Sequence, residues 1–238
     1  GTAKSATLSS CAGGTYKAAH TVAYGGTSSC GACGAGKWSS DGAGSCSNID
    51  AGCYGTSASS SCPAECAAGT YASAGSASCS SCTGRTKYSA KKAGSCSTVT
   101  GGYYTTGCDT SGNKCTGQSQ CTSGTFCSGG VVNNCPSGYG ASKAGATANT
   151  DCYMSVSAKK YVAKANDSSA SSCGTGTYKA AHTVYYGNTS TCSSCPSGYD
   201  DGSAVATEGE CIISVSAGKY VGTAKSATLS SCAGGTYK

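Results

Sequence analysis

Twenty-one cysteines and two histidines are the residues of this chain whose types could do chemistry. Three cysteine pairs have C-x-x-C spacing: Cys30/Cys33, Cys79/Cys82 and Cys192/Cys195. That spacing serves zinc knuckles and dithiol redox centres as well as disulfides. A zinc ribbon needs two such pairs about 15–20 residues apart. Here single cysteines at hairpin distance flank each pair instead, which reads as structural disulfides, with no metal and no redox centre. His20 and His182 share one repeat position, the His of GTYKAAHTV, and stand far apart in sequence. No nucleophile–base–acid set is anchored to either, no carboxylate pair stands out, and the DTSGNK stretch at Asp109 lacks the remainder of a calcium loop. The reading is of a chain that is not an enzyme, with no catalytic residue, no cofactor and no metal ligand.

Composition says what the cysteines must do. Val, Ile, Leu and Phe together supply 16 of 238 residues, and below about 20% a chain is normally disordered, above all when highly charged. Charge is low here, with 16 basic against 10 acidic residues. Cross-links of about 2–4 kcal/mol each then have to replace the missing apolar core. Disulfides persist in oxidising compartments, which places the chain outside the cell or on its surface. The net charge of +6 is spread without a run of five like charges, so no nucleic-acid footprint is evident. No 18-residue apolar stretch is present, hence no membrane span. No signal peptide is visible; if the chain is secreted, that signal was removed or lies outside this stretch.

The chain also repeats itself. GTAKSATLSSCAGGTYK occurs at Gly1–Lys17 and again at Gly222–Lys238, a displacement of 221 residues. A second match, displaced by 59, aligns CYMSVSAKKYVAKANDSSASSCGTGTYK from Cys152 with CIISVSAGKYVGTAKSATLSSCAGGTYK from Cys211. A header of Cys, then Val or Ile, then Tyr recurs at Cys46, Cys96, Cys152 and Cys211. These landmarks divide the sequence into 1–46 (the end of module A), 46–96 (B), 96–152 (C, divergent in its cysteine spacing), 152–211 (D) and 211–238 (the start of the next copy of A). The repeat predicts that AAHTVAYGG would follow Lys238. Cys232 is Cys11 counted again, which leaves an even number of cysteines per copy.

Within modules the smaller unit is C-x-x-G-x-(Tyr/Trp), at Cys11, Cys33, Cys66 and Cys173, with slipped forms at Cys82, Cys135 and Cys195. We read each as a short irregular hairpin in which glycine supplies a tight turn and the ring lies over the cross-link. The packing rings would be Tyr16, Trp38, Tyr71, Tyr178 and Tyr199. Sequence does not fix disulfide connectivity. The least contorted arrangement joins neighbours: Cys11–Cys30, Cys33–Cys46, Cys53–Cys62, Cys66–Cys79, Cys82–Cys96, Cys135–Cys152, Cys173–Cys192 and Cys195–Cys211. Cys108, Cys115, Cys121 and Cys127 remain for two more bonds, whose pairing is unassigned and allows crossing, and Cys232 would await a partner beyond Lys238. The predicted fold class is small disulfide-rich modules, mostly irregular with short β-hairpins and almost no helix, in an elongated tandem array whose units touch mainly their neighbours.

CAAGTYASAGSASCSSCTGRTKYSAKKAGSC (Cys66–Cys96) resembles the cysteine-rich repeats of ephrin-receptor-like and growth-factor-receptor-like ectodomains, which also occur in surface antigens of single-celled eukaryotes and look like parts of extracellular filaments. The resemblance implies an extracellular disulfide ladder; it says little about function, because one ladder serves coats, adhesins and receptors. Two N-glycosylation sequons, Asn166-Asp-Ser and Asn188-Thr-Ser, fall where the sister module has Lys225 and Gly26. Two readings follow: a structural, glycosylated extracellular fibre whose partner is itself, or a receptor or adhesin ectodomain that uses the divergent 96–135 stretch to bind protein or glycan.

Overall fold

The C-x-x-G-x-(Tyr/Trp) unit folds by a turn and a short pair of strands. In Ala67–Thr70, Thr70 donates both its N–H and its Oγ hydrogen to the Ala67 carbonyl, at 3.1 and 2.7 Å. The third residue of that turn, Gly69, has φ +83°, as a type II turn requires and as only glycine adopts without strain. The chain then enters strand Thr70–Tyr71, which pairs antiparallel with Ser80–Ser81, and the Cys66–Cys79 bond closes the hairpin. Ala12–Thr15 repeats the turn with Gly14 at φ +84°. The position tolerates one exception. Lys159 has φ +66° where the sister module has Gly218 at φ +79°.

The computed structural model describes residues 7–200 and 202–233. Among these the strands are two to five residues long, and helix is limited to single 3-10 turns at Asn149–Asp151 and Glu208–Glu210. These are small disulfide-rich modules of short antiparallel hairpins with almost no helix. The chain divides into two compact units, Gly1–Gln120 with Cys127–Val132, and Cys121–Phe126 with Asn133–Lys238.

In the first unit, hairpins succeed one another along the chain: Thr15–Tyr16 with Gly31–Ala32, Lys37–Trp38 with Ser47–Asn48, and Cys53–Tyr54 with Ala64–Glu65. Thr70–Tyr71 with Ser80–Ser81, Lys87–Tyr88 with Ser97–Thr98, and the longer Tyr103–Thr106 with Gly117–Gln120 follow. The second unit holds Lys160–Tyr161 with Ser171–Ser172, Thr177–Tyr178 with Ser193–Ser194, and Lys219–Val221 with Leu229–Ser231. It also holds a three-stranded sheet in which Cys152–Val156 lies between Ala141–Ser142 and His182–Tyr185.

Sulfur takes the place of aliphatic carbon in the interior. Cys33, Cys53, Cys66, Cys82, Cys115, Cys121 and Cys152 are all buried, while carbon-based clusters stay small. One groups Ile49, Cys53 and Ala58 with Trp38 and Cys62 against them. The other groups Val156, Val162 and Val184 with Met154 and Ala170. The expected ring-over-rung packing needs correction at Tyr16, which is 38% exposed. With only Gly31 and Ala32 on the strand opposite, no bulky side chain is there to cover it.

Candidate functional site

The repeated chemistry of this chain is its set of cross-links. The structure joins Cys11 to Cys30, Cys33 to Cys46, Cys53 to Cys62, Cys66 to Cys79 and Cys82 to Cys96. It also joins Cys135 to Cys152, Cys173 to Cys192 and Cys195 to Cys211. Cys108 is bonded to Cys115, and Cys121 and Cys127 are disulfide-bonded too. The crossed alternative for the middle four is therefore wrong: the Tyr103–Thr106 and Gly117–Gln120 strands bring Cys108 and Cys115 together at the mouth of their own loop. Cys232 is a free thiol.

Between hairpins the ties are hydrogen bonds, and they repeat. The Gly14 N–H donates to the Ser39 carbonyl, Gly69 to Ser89, Gly52 to Ala72 and Lys159 to Lys179, at 2.7–2.9 Å. Return bonds run from Gly42 to Cys11, Gly75 to Ile49, Lys92 to Cys66 and Lys114 to Cys82, at 2.7–2.8 Å. At three junctions of the first unit, forward and return bonds together fasten one hairpin to the next at two levels.

A third tie escaped the sequence reading. Ser39, Ser89, Thr105 and Ser142 are the buried polar residues among those described, and all do one job. Ser39 Oγ donates to the Thr15 carbonyl at 2.8 Å, Ser89 Oγ to Thr70 at 3.0 Å, Ser142 Oγ to Thr125 at 2.8 Å, and Thr105 Oγ1 to Arg85 at 3.0 Å. Ser39 and Ser89 directly follow the ring residues Trp38 and Tyr88. That adjacency was the available signal. A buried hydroxyl that loses its acceptor, or a carbonyl that loses its donor, costs about 1–3 kcal/mol. Ser89→Ala is accordingly expected to speed hydrogen exchange of the Thr70–Tyr71 hairpin about tenfold while its disulfide stays intact, read by amide exchange on the oxidised chain.

Glycine also brings hairpins two apart into backbone contact. A methyl group on Gly14 would collide with the Ser57 carbonyl, on Gly36 with Gly75, on Gly52 with Lys92, and on Gly69 with Lys114. Ser57, Gly75, Lys92 and Lys114 themselves have positive φ, so successive loops present the same outward carbonyl to the glycine two hairpins back.

Compared with family models and with curated proteins, the chain matches none. Its chemistry must be read from its own geometry.

The histidines sit alike in their repeats. His182 donates from Nδ1 to the Ala180 carbonyl at 3.0 Å and accepts the Ser190 hydroxyl at Nε2, at 2.9 Å. Ser190 Oγ in turn accepts the Val162 N–H at 2.9 Å. This serine–imidazole pair, eight residues apart, was not foreseen. The group behind the imidazole is a backbone carbonyl, not a carboxylate, and the contact fastens the 187–190 turn to Val162. His20 Nδ1 lies 3.0 Å from the Ala18 carbonyl, in the same relation. Asp109 turns its carboxylate onto the amides of Ser111 and Asn113, at 3.0 and 2.8 Å. Among the described residues no three His, Cys, Asp or Glu side chains gather as a metal site would need. Asn166 and Asn188 are both exposed, Asn166 in a turn at φ +65°.

Acidic residues cap the turns that precede two module headers. Asp151 accepts the amides of Thr147 and Ala148, at 2.7 and 3.0 Å, and Glu210 accepts Ala206 at 2.9 Å. The backbone donors of Thr147 and then Ala148 hold the Asp151 carboxyl below the usual aspartate range. A depressed folded pKa stabilises the loop fully above the unfolded pKa, and that contribution disappears as pH falls through the folded value. We expect the 147–151 turn to loosen only in acid below the ordinary aspartate range. Following the Asp151 side-chain carbon by NMR titration checks this, and Asp151→Asn should flatten the acid limb. Glu65 is lowered as well, chiefly by hydrogen bonds from Lys91 and then Lys92, whose Nζ atoms stand 3.0 and 3.3 Å away.

Proposed function

We infer that this chain is a structural, non-enzymatic element of an extracellular fibre or its sheath, built by repetition of one disulfide-stapled hairpin. The observation that carries the reading is the recurrence of a single junction, with the same glycine amide, the same return bond and, at several hairpins, the same buried hydroxyl. Repetition of a contact rather than of a pocket suits a load-bearing or spacing role. Copying a 17-residue stretch at 221 residues extends that recurrence to a larger scale. The heavy oxidation of the chain suits a secreted or extracellular protein, and no helix among the described residues is long and apolar enough to cross a membrane.

The mechanism is mechanical. Rings of 7–19 residues closed by sulfur limit how far each hairpin can be drawn out, and the junction bonds fix neighbouring hairpins in register. Glycans on Asn166 and Asn188 would sit in exposed loops and shield a chain with little apolar interior. The repeats resemble receptor ectodomain modules, but a repeated junction favours the fibre. Electron microscopy of the native material tests it: regular filaments are expected, and isolated flexible molecules would overturn it. Thiol titration of the native material in denaturant, without reductant, should find next to no reactive thiol; many would overturn the disulfide basis of the proposal.

A further inference from the structure

The stretches Tyr16–Cys30 and Tyr178–Cys192 read alike at twelve of fifteen positions. One of the three differences is Thr191 against Ser29, a change of a single methyl group. The other two are Tyr185 against Ala23 and Asn188 against Gly26. Those two belong to one turn. The Asn188 amide donates to the Tyr185 carbonyl at 3.0 Å, and Gly187 has φ +90°, the arrangement of a type II turn, whose first and last Cα atoms lie within about 7 Å. An aromatic residue and a sequon asparagine are thus present together at the two ends of one turn, and absent together from the other copy.

The serine of that sequon has a separate explanation. Ser190 donates its hydroxyl to His182 Nε2 and accepts the Val162 N–H, both at 2.9 Å, and Ser28 keeps the same residue where Gly26 can carry no sugar. What needs a reason is Asn188 in company with Tyr185.

The Tyr185 ring is held in place beside an open groove. Tyr153, opposite it on the adjacent strand, packs edge-on with ring centroids 5.6 Å apart, so the ring is oriented before anything binds. Tyr185 lines a groove of about 460 Å³ with Lys143, Thr147 and Asp151, within the roughly 300–1,000 Å³ of ordinary ligand clefts. The groove belongs to a module whose three strands, Ala141–Ser142, Cys152–Val156 and His182–Tyr185, are all paired. A pyranose presents C–H bonds on its faces and hydroxyls around its rim. A tyrosine ring next to an ammonium, a hydroxyl and a carboxylate complements both.

We propose that Asn188 carries an N-linked glycan whose first sugar, an N-acetylhexosamine, lies on the Tyr185 ring and fills this groove. The glycan is then a packed part of the module, fastening the 185–188 turn to the 143–151 loop. In the attachment step Asn188 Nδ2 attacks the anomeric carbon of an oligosaccharide carried on a polyprenyl diphosphate. The C–N bond forms, the C–O bond to phosphate breaks with its electron pair going to the departing diphosphate, and the nitrogen gives up one proton. The sequon hydroxyl must be accessible for that transfer, and Ser190 is engaged in the folded chain, so attachment precedes strand pairing. Asn166 is the contrast within the same chain. Its turn, closed by the Asp167 amide on the Lys164 carbonyl, holds Lys164, Ala165, Asn166 and Asp167 and no ring, and a sugar there stays free in solvent.

This proposal rests on the reading of a glycosylated extracellular fibre and gives one glycan a fixed place in it. The chain is secreted from a eukaryotic cell that attaches N-glycans, and Asn188 occupancy is read by glycopeptide mapping. NMR of the glycosylated chain should show the first sugar on Asn188 with its protons shifted by a ring current and in contact with the Tyr185 ring, and any sugar on Asn166 without either. Trimming the glycan to its first sugar should leave the Asn188 amide protected. Removing it entirely with an amidase should speed that amide's exchange about threefold to tenfold, the worth of one ring contact. Tyr185→Ala, which installs the residue of the sister copy, should abolish the shift in its glycosylated fraction. An unoccupied Asn188, a sugar with unshifted protons, or a shift that survives Tyr185→Ala would overturn the docked glycan. Any of these alongside native filaments leaves the fibre standing; a docked sugar on molecules that form no filaments removes the fibre alone.

Discussion

Cys66→Ser combined with Cys79→Ser should unfold one hairpin and leave most of the chain standing. The bond spans 13 residues, and a loop of that size contributes about 3 kcal/mol through restriction of the unfolded chain. Thr70–Tyr71 and Ser80–Ser81 then have four paired residues and no cross-link, too little to persist alone in water. Exchange of their amides should quicken by about two orders of magnitude, since each 1.4 kcal/mol is tenfold. The neighbouring hairpin loses part of its support, because Gly69 no longer holds the Ser89 carbonyl and Lys92 no longer holds Cys66. Thr15–Tyr16, several hairpins away, should exchange as before, as expected where stability is a sum over nearest neighbours. Collapse of every hairpin at once would instead reveal one cooperative core.

Gly69→Ala should cost more than Gly84→Ala, though both glycines have nearly the same backbone, φ +83° and φ +78°. Each substitution carries the penalty of an L-residue in the left-handed region, about 1–2 kcal/mol. At Gly84 nothing lies within reach of the new methyl group, whereas at Gly69 it meets the Lys114 carbonyl and main chain. Backbone cannot rotate away as a side chain does, and such overpacking adds about 1–3 kcal/mol. The difference should appear as a lower denaturant midpoint for Gly69→Ala, with faster exchange at Lys114, whose amide donates to Cys82. Equal effects at the two positions would mean that the loop at Lys114 yields freely.

The cross-linked hairpins were legible because cysteine spacing is a local property. A ring closed over 13 residues leaves few alternatives, and C-x-x-G-T spells out the turn that starts it. Three things were not legible. Ser39 and Ser89 look like any serine in a serine-rich chain until the neighbouring hairpin closes over them. Gly14, Gly36, Gly52 and Gly69 announce a turn, but their contact with a loop two hairpins on depends on how hairpins stack, which no short window contains. The pairing of Cys152–Val156 with His182–Tyr185 spans an intervening hairpin, and the same letters at His20 and Val215 form no strand. Strand formation at those residues is decided by a partner rather than by propensity.

Every covalent ring whose two cysteines are paired here closes over a single stretch of 7–19 residues, whereas the repeated links from one hairpin to the next are non-covalent, hydrogen bonds with the Glu65 ion pairs among them. Pulled from both sides, the molecule would therefore part at its seams first, each seam releasing a short, fixed length and snapping shut when the force relents. The sulfur bonds carry strain only after the seams have opened. An extracellular thread made this way would stretch and recover without breaking a covalent bond.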